Sequence, residues 1–462
     1  MRAFRIFAVI ILLCLSVAVT SASAGSVWQE NTSVTISTGT RAVKTVRVSL
    51  ADPGIEIRPV LAGDRVGLTE PLSGMAARSG AVAAINGTFF RAYTDNQPQG
   101  TIQSNGVFHH LSSGAAVGFT ESNRMIMDRL KPEIKGGING SREWPNNWYA
   151  WSINSPRDDS DAIIIYTPSY RGGRTVPPSA RSVVVRSGRV TDIVSGSADI
   201  PSDGYVIGFG PSCGEIAGRF SVGDTVEYSV NQGPGWDSVR NALSAGPLLL
   251  KNGEIVVDPA AEGMSDPKIT SQKGARSFIG LKDGNTLVMG TTSPVTVREL
   301  AEITRALGLS EAMNLDGGAS SGLYFNGGYI TTPGRNLSNC LVVVRSIPVR
   351  LNGRKITGFE PYVIPPGVTM VPVRGLFENM GATVGWDGSR GTVTVNMGSV
   401  NIVMPVGSRS VSVNGKDVSI PAAVEIKNGR TYIPLRFVAE SLGARVEWDE
   451  NYGTVDIYTG RE

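Results

Sequence analysis

The sequence predicts an α+β protein: a mixed, mainly antiparallel sheet body, followed by a small duplicated α+β unit. Three observations carry this. Short β-branched runs separated by turn residues fill residues 27–345. Only two stretches there have helical periodicity. Beyond them, residues 369–395, "TMVPVRGLFENMGATVGWDGSRGTVTV", align without a gap with residues 431–457, "TYIPLRFVAESLGARVEWDENYGTVDI".

In chain order, the first residues read as a secretory signal. Arg2 and Arg5 precede an apolar run at 6–19, and Ala22-Ser23-Ala24 offers small residues for cleavage after Ala24. The run is shorter than the ~20 residues that span a bilayer, and no later run is long enough, so no integral span is expected after cleavage. Cleavage lowers the formal charge from +3 to +1, which gives no support to nucleic-acid binding. Cys213 and Cys340 then remain, as a disulfide or as two buried thiols. With His109 and His110 the only histidines, a zinc site on His and Cys is improbable.

The body has expected strands at 34–36, 44–50, 55–60, 81–85, 162–166, 182–185, 225–230, 278–281, 286–290 and 340–344. The two helices are Leu72–Arg78 and residues 297–307. The second has the Thr296/Glu299 capping-box spacing, an apolar face of Val297, Leu300, Thr304 and Leu307, and a stop at Gly308. In the repeat, a strand carrying Pro and Arg enters a short helix (Phe437, Val438, Ser441, Leu442), Gly443 ends it, and a Trp-bearing strand follows. Pro372, Arg374, Trp386, Pro434, Arg436 and Trp448 are read as fold determinants.

Five polar stretches follow or interrupt short strands among small residues: "INGTFF" at 85–90, "INSPR" at 153–157, "SAGPLLL" at 244–250, "GARSFIGLKDG" at 274–284, and "LDGGASS" at 315–321 with "GRNLSNC" at 334–340. Asp316 is the one acid in its Gly, Ala and Ser run. Read alone, it is an Asp-Gly turn. Arg276 and Arg335 are guanidinium candidates for a phosphodiester. Asn86 is either a turn residue or a group that orients Asp316 or binds sugar hydroxyls. Exposed aromatics among Trp144, Trp148, Tyr149 and Trp151 would suit a sugar ring, or they cap the core. Neither histidine has a visible triad partner, and "GASSG" is not a nucleophile elbow.

As an ordered set these stretches resemble the phosphodiester glycosidase family over nearly all of 27–345, and residues 346–462 resemble the copper amine oxidase N-terminal-like, or stalk, domain. The first resemblance implies that family's α+β fold and hydrolysis of sugar-1-phosphodiesters; its best-known member removes N-acetylglucosamine linked through phosphate. It places Asp316 in the active site, as nucleophile, general base or oxygen ligand of a divalent cation. Asn86 and Arg276 are the other catalytic candidates. Thr88, Gly317, Gly318, Ser320, Arg335, Asn339, Asn154, Arg157 and His110 are the substrate-binding ones. The resemblance fixes no cofactor; Ca²⁺ or Mg²⁺ is compatible with such oxygen-rich loops. The expected chain is a secreted or wall-associated hydrolase of phosphate-linked envelope glycan or exopolysaccharide, with its C-terminal repeats on a wall or surface polymer. The competing expectation is a non-enzymatic glycan-binding or exopolysaccharide-assembly protein with the same fold.

Overall fold

The computed structural model describes residues 26–175, 180–345, 347–356, 361–364, 367–427, 430–449 and 454–460. The signal-peptide segment lies outside them. The α+β expectation holds, with almost all strand pairs antiparallel.

Three sheets build the part of the body that matters for the site. The largest runs from Val27–Ile36 through Gly39–Ser49, Thr286–Val295, Gly274–Lys282 and Leu309–Asn314 to Leu248–Lys251 and Glu254–Ile255. A second places Ala81–Asn86 between Leu323–Phe325 and Asn339–Arg345. A third centres on Val239–Ser244, paired with Ile102–Ser104 and Gly114–Thr120. Their inner faces share one core, in which Val46, Ile85, Val117, Leu243, Met313 and Leu315 are all buried. Alternation puts those residues inward and leaves the strand ends to carry polar groups.

The helix Val297–Ala306 forms where its local signals say. Thr296 accepts from the Glu299 N–H, Glu299 reaches back to the Thr296 N–H, and Gly308 takes φ +77°. Leu72–Arg78 is helical over the expected residues. A further sheet pair carries a separate core around Trp148, Ile163, Val183 and Phe209. Both cysteines are buried free thiols, and burial pushes Cys340 up to about 12.

The strands from Val349 onward join only one another. Val368–Pro372 pairs antiparallel with Arg430–Pro434, with Val371 opposite Ile433 at the centre. The pairing is symmetric: Met370 faces Pro434 and Pro372 faces Tyr432, which are equivalent positions in the two copies. One core, including Leu376, Phe377, Leu435 and Val438, serves both. The fold-determinant expectation for this unit needs correction. Pro372 and Pro434 are buried, but Trp386 and Trp448 are each 46% exposed and both arginines point outward. Neither Trp fills the core.

Candidate functional site

Asp316 stands one residue past Leu315, whose N–H continues the sheet by donating to the Ser277 carbonyl at 2.9 Å. Here the first two sheets meet: the Asp316 N–H donates to the Gly87 carbonyl at 3.1 Å. Asn86 closes the joint. Its Nδ2 donates to the Asp316 carbonyl at 2.6 Å, and its Oδ1 accepts from the Gly322 N–H at 3.0 Å. Asn86 is 1% exposed, so its side chain is spent on holding the loop. Asn339 does the same from the neighbouring strand, accepting from the Thr88 N–H at 2.9 Å and donating to Ser338 Oγ at 2.8 Å. Both are positioning residues. Of the readings of Asn86, the geometry fits the one in which it orients Asp316, and it gives Asn339 a like bracing role.

The turn leaves the carboxylate held but accessible. Gly318 takes φ +61°, and a Cβ at Gly317 would meet the Ala275 carbonyl oxygen at 2.8 Å, so the two glycines are required by backbone shape. The Gly317 N–H donates to Asp316 Oδ1 at 2.9 Å, and the Ser320 hydroxyl donates to the same carboxylate. Burial outweighs these bonds and the charge of Arg335, and pushes Asp316 up to about 6.

Arg276 differs from expectation. It is 4% exposed, and its guanidinium donates to three backbone carbonyls: Nε to Val295 at 3.1 Å, and Nη2 to Lys268 and Gln272 at 2.8 Å each. It ties a surface turn to the sheet instead of gripping a ligand with a two-pronged fork. Nη1 alone lies on the Gly317 side. Arg335 is the more available cation. It donates to the Tyr93 hydroxyl at 2.8 Å and lies over that ring at 5.1 Å, and Tyr93 is 84% exposed.

Behind the loop, several buried polar atoms have no hydrogen-bond partner among the described residues: Thr88 Oγ1, Ser321 Oγ, Ser277 Oγ, Asn314 Oδ1 and His110 Nε2. Buried polar atoms are paired in the great majority of folds; Thr88 and Ser321 flank the braced loop, and atoms in the same condition occur elsewhere among the described residues, at Gln232, Glu262 and Tyr362. Thr88 and His110 meet at Gly100. Thr88 Oγ1 sits where a Gly100 side chain would be, and His110 Nδ1 donates to the Gly100 carbonyl at 2.7 Å. That bond fixes the tautomer, and burial lowers His110 to about 4, so its Nε2 is a neutral acceptor.

Two substrate-binding candidates are not brought here. Asn154 is fully buried at φ +54°, donating to the His109 carbonyl and Thr167 Oγ1 and accepting from the Thr167 N–H. It is a turn residue with nothing left for substrate. Arg157 pairs with Asp159 at 3.1 Å on the surface and lies over Trp151. The aromatic segment divides: Trp148 is buried edge-on against Phe220 and Tyr228, while Trp144, Tyr149 and Trp151 are exposed. Sequence reasoning missed Tyr93, Gly100, Ser277 and Asn314. Asn314 lay two residues from Asp316, and Ser277 one residue from Arg276. No periodicity marked the other two.

Among the described residues no group of three or more His, Cys, Asp or Glu side chains gathers for a metal. A divalent cation at this loop would have to rely on Asp316 with neutral oxygens.

Residues 179–344 match the family model of phosphodiester glycosidases. Over this stretch the chain resembles that family. The stretch contains Arg276, Asp316, Ser320, Arg335 and Asn339. Residues 350–457 match the model of the copper amine oxidase N-terminal domain. Among solved structures, a hypothetical protein from Synechocystis is 26% identical, with a TM-score of 0.62 over 69% of this chain and 62% of that one. A candidate exported protein from Burkholderia pseudomallei K96243 is 20% identical, with a TM-score of 0.56 over 66% and 74%, which speaks to fold. A curated protein from Brevibacillus choshinensis described as a protease inhibitor is 28% identical over 112 residues, or 24% of this chain; the chain spans about a third (34%) of that relative's length. The family match supports a glycosidase-type function. No helix among the described residues is long and apolar enough to cross a membrane.

Proposed function

We propose that the chain is an exported hydrolase that cleaves the glycosidic bond of sugar-1-phosphodiesters in an envelope glycan or exopolysaccharide. The observation that carries this reading is the braced carboxyl of Asp316, pushed up to about 6 by burial, beside the charge of Arg335. The family match over the same residues supports it.

Glycoside cleavage ordinarily uses two carboxyl groups, one to protonate the leaving oxygen. A phosphate monoester leaves as a stable anion and needs little protonation. One carboxylate then suffices. In the simplest balanced step, water attacks the anomeric carbon while its proton passes to Asp316. The bond from that carbon to the phosphate oxygen breaks, and the phosphate takes the electron pair. Arg335 would meet the phosphate charge; Ser321 and Thr88 would meet sugar hydroxyls. The leader-like first residues and the repeat module suit a wall-associated or secreted protein.

The test is hydrolysis of a panel of sugar-1-phosphodiesters by residues 25–462 and by Asp316→Asn, with and without chelator. Turnover by the native chain that falls about 10³-fold in the variant supports the reading. Turnover unchanged in the variant removes Asp316 from the chemistry. Glycan binding without turnover in either protein favours the non-enzymatic alternative.

A further inference from the structure

Two segments border the Asp316 carboxyl, and one pair of side chains joins them. The first is the Asp316 turn itself. The Gly334 N–H donates to the Ala319 carbonyl at 2.8 Å, which hangs Arg335 from that turn. The second is the loop at 91–97, which follows Asn86, Gly87 and Thr88 in the chain. It closes on itself at the neck: the Arg91 N–H donates to the Gln97 carbonyl at 2.9 Å, and Phe90 bridges to Pro98. Arg91 pairs with Asp95 at 2.6 Å within the loop, and Asn96 takes φ +59°. Tyr93 belongs to this loop and is 84% exposed.

Burial does not account for Tyr93. Its hydroxyl and its ring both meet Arg335. The hydroxyl accepts from Nη2 at 2.8 Å, and Cζ lies over the ring at 5.1 Å, although the two residues are 242 apart in sequence. Among the described residues the Arg335 side chain donates no other hydrogen bond and forms no ion pair. Its charge lowers Asp316, yet the two carry no ion pair between them. A guanidinium holds five N–H donors in one plane. Tyr93 takes one donor and orients that plane, and the remaining donors stay available. An arginine on a free stem must give up rotamer freedom to grip an anion; one already held loses less.

We propose that Tyr93 is a positioning residue, which holds the Arg335 guanidinium so that its free N–H groups receive the phosphate of the substrate. This rests on the reading of the Asp316 site as one for phosphodiesters. It adds the loop at 91–97 to that site.

The test is titration calorimetry of the full chain with inorganic phosphate at about pH 5.5, where phosphate carries one charge, as a phosphodiester does. The probe reads the contact without requiring the right sugar, and chloride at equal ionic strength is the control. The native chain should bind phosphate. Tyr93→Ala should weaken binding about five-fold, and Tyr93→Phe, which keeps the ring, about two-fold. Arg335→Lys keeps the charge and loses the plane, so adding Tyr93→Ala to it should weaken binding by less than about two-fold more. Melting temperatures of the Tyr93 variants should stay within about 1 °C of the native chain. On any sugar-1-phosphodiester that is turned over, Tyr93→Ala should raise KM about five-fold and leave kcat within about two-fold. Three outcomes overturn the proposal: no phosphate binding above the chloride control, native-like binding by Tyr93→Ala, or the same five-fold loss in the Arg335→Lys background. Tyr93-dependent phosphate binding without turnover of any sugar-1-phosphodiester would uphold this inference and sink the hydrolase reading.

Discussion

The loop around Asp316 draws its polar side chains inward, whereas the sheet that carries Trp448 leaves an apolar ring half in solvent. In the first, side chains of charge and hydrogen-bonding capacity are drawn inward and mostly consume one another: Asn86, Asn339 and Arg276 bond to the backbone, and only Asp316, Arg335 and a few hydroxyls remain. In the second, the apolar side chain is left outside while prolines and valines fill the core. The contrast teaches that a side chain's chemistry is decided by what the fold leaves unsatisfied. An arginine with three carbonyls is a strut. A tryptophan laid over a buried valine is half cover and half surface.

The comparison can be broken most decisively at Asp316. A carboxyl whose folded value lies near 6 and whose unfolded value lies near 3.8 is costly to ionise in place. The wild-type fold therefore has its full stability from this group below about pH 3.8 and loses that contribution as pH rises through 6. Asp316→Asn should melt about 3 °C higher than the native chain at pH 7.5, with the gap closing by pH 4, even as turnover falls about 10³-fold. A variant less stable at pH 7.5 would mean the carboxylate is held by favourable contacts instead. On the proposed reading, kcat/KM of the native chain should climb with pH through about 6, as the base form appears; a flat profile from pH 5 to 8 would sink the base assignment.

Next in size comes Trp148 against Trp386. Trp148→Ala should cost about 3–5 kcal/mol in denaturant melts because it empties a packed core, and Trp386→Ala less than about 0.5 kcal/mol. Similar costs would restore Trp386 as a fold determinant. Asn86→Ala strands the Gly322 N–H and the Asp316 carbonyl, so about 1–3 kcal/mol of stability should be lost, with kcat falling more than KM rises. The smallest effect is expected from Arg276→Lys against Arg335→Lys. If Arg276 is a strut, its replacement should lower the melting point by about 2–4 °C with KM little changed, while the Arg335 replacement should raise KM and leave the melt alone.

What the sequence made legible was local. The Thr296/Glu299 capping box needs only three intervening bonds of chain to declare itself, and the helix Val297–Ala306 followed. The alternating runs announced strands, and the 62-residue offset announced the module. The glycine-rich turn of "LDGGASS" was legible as a motif, and the structure does set Asp316 in a braced turn. The rest depended on distant partners. Asn86 and Asp316 are 230 residues apart, and nothing in "INGTFF" says which carbonyl its amide will find. Two of the three carbonyls on Arg276 come from residues 268 and 272, just before its own strand, and the third from Val295 on the neighbouring strand, so the same arginine that reads as a ligand grip becomes internal. Identity between repeats was legible too, but identity does not say which way a residue faces.

The module has one more property. Its first strand, Val349–Leu351, lies parallel to its last, Thr454–Tyr458, with Val349 beside Val455 and Leu351 beside Ile457. The seam that closes the unit thus joins segments about a hundred residues apart, and none of its earlier strands can substitute. During synthesis or export the body can settle first, since its sheets borrow nothing from the module. The module must wait until Tyr458 has emerged. A chain cut short by even its final strand would carry a finished body on an unlatched tail, its module left open to proteolysis.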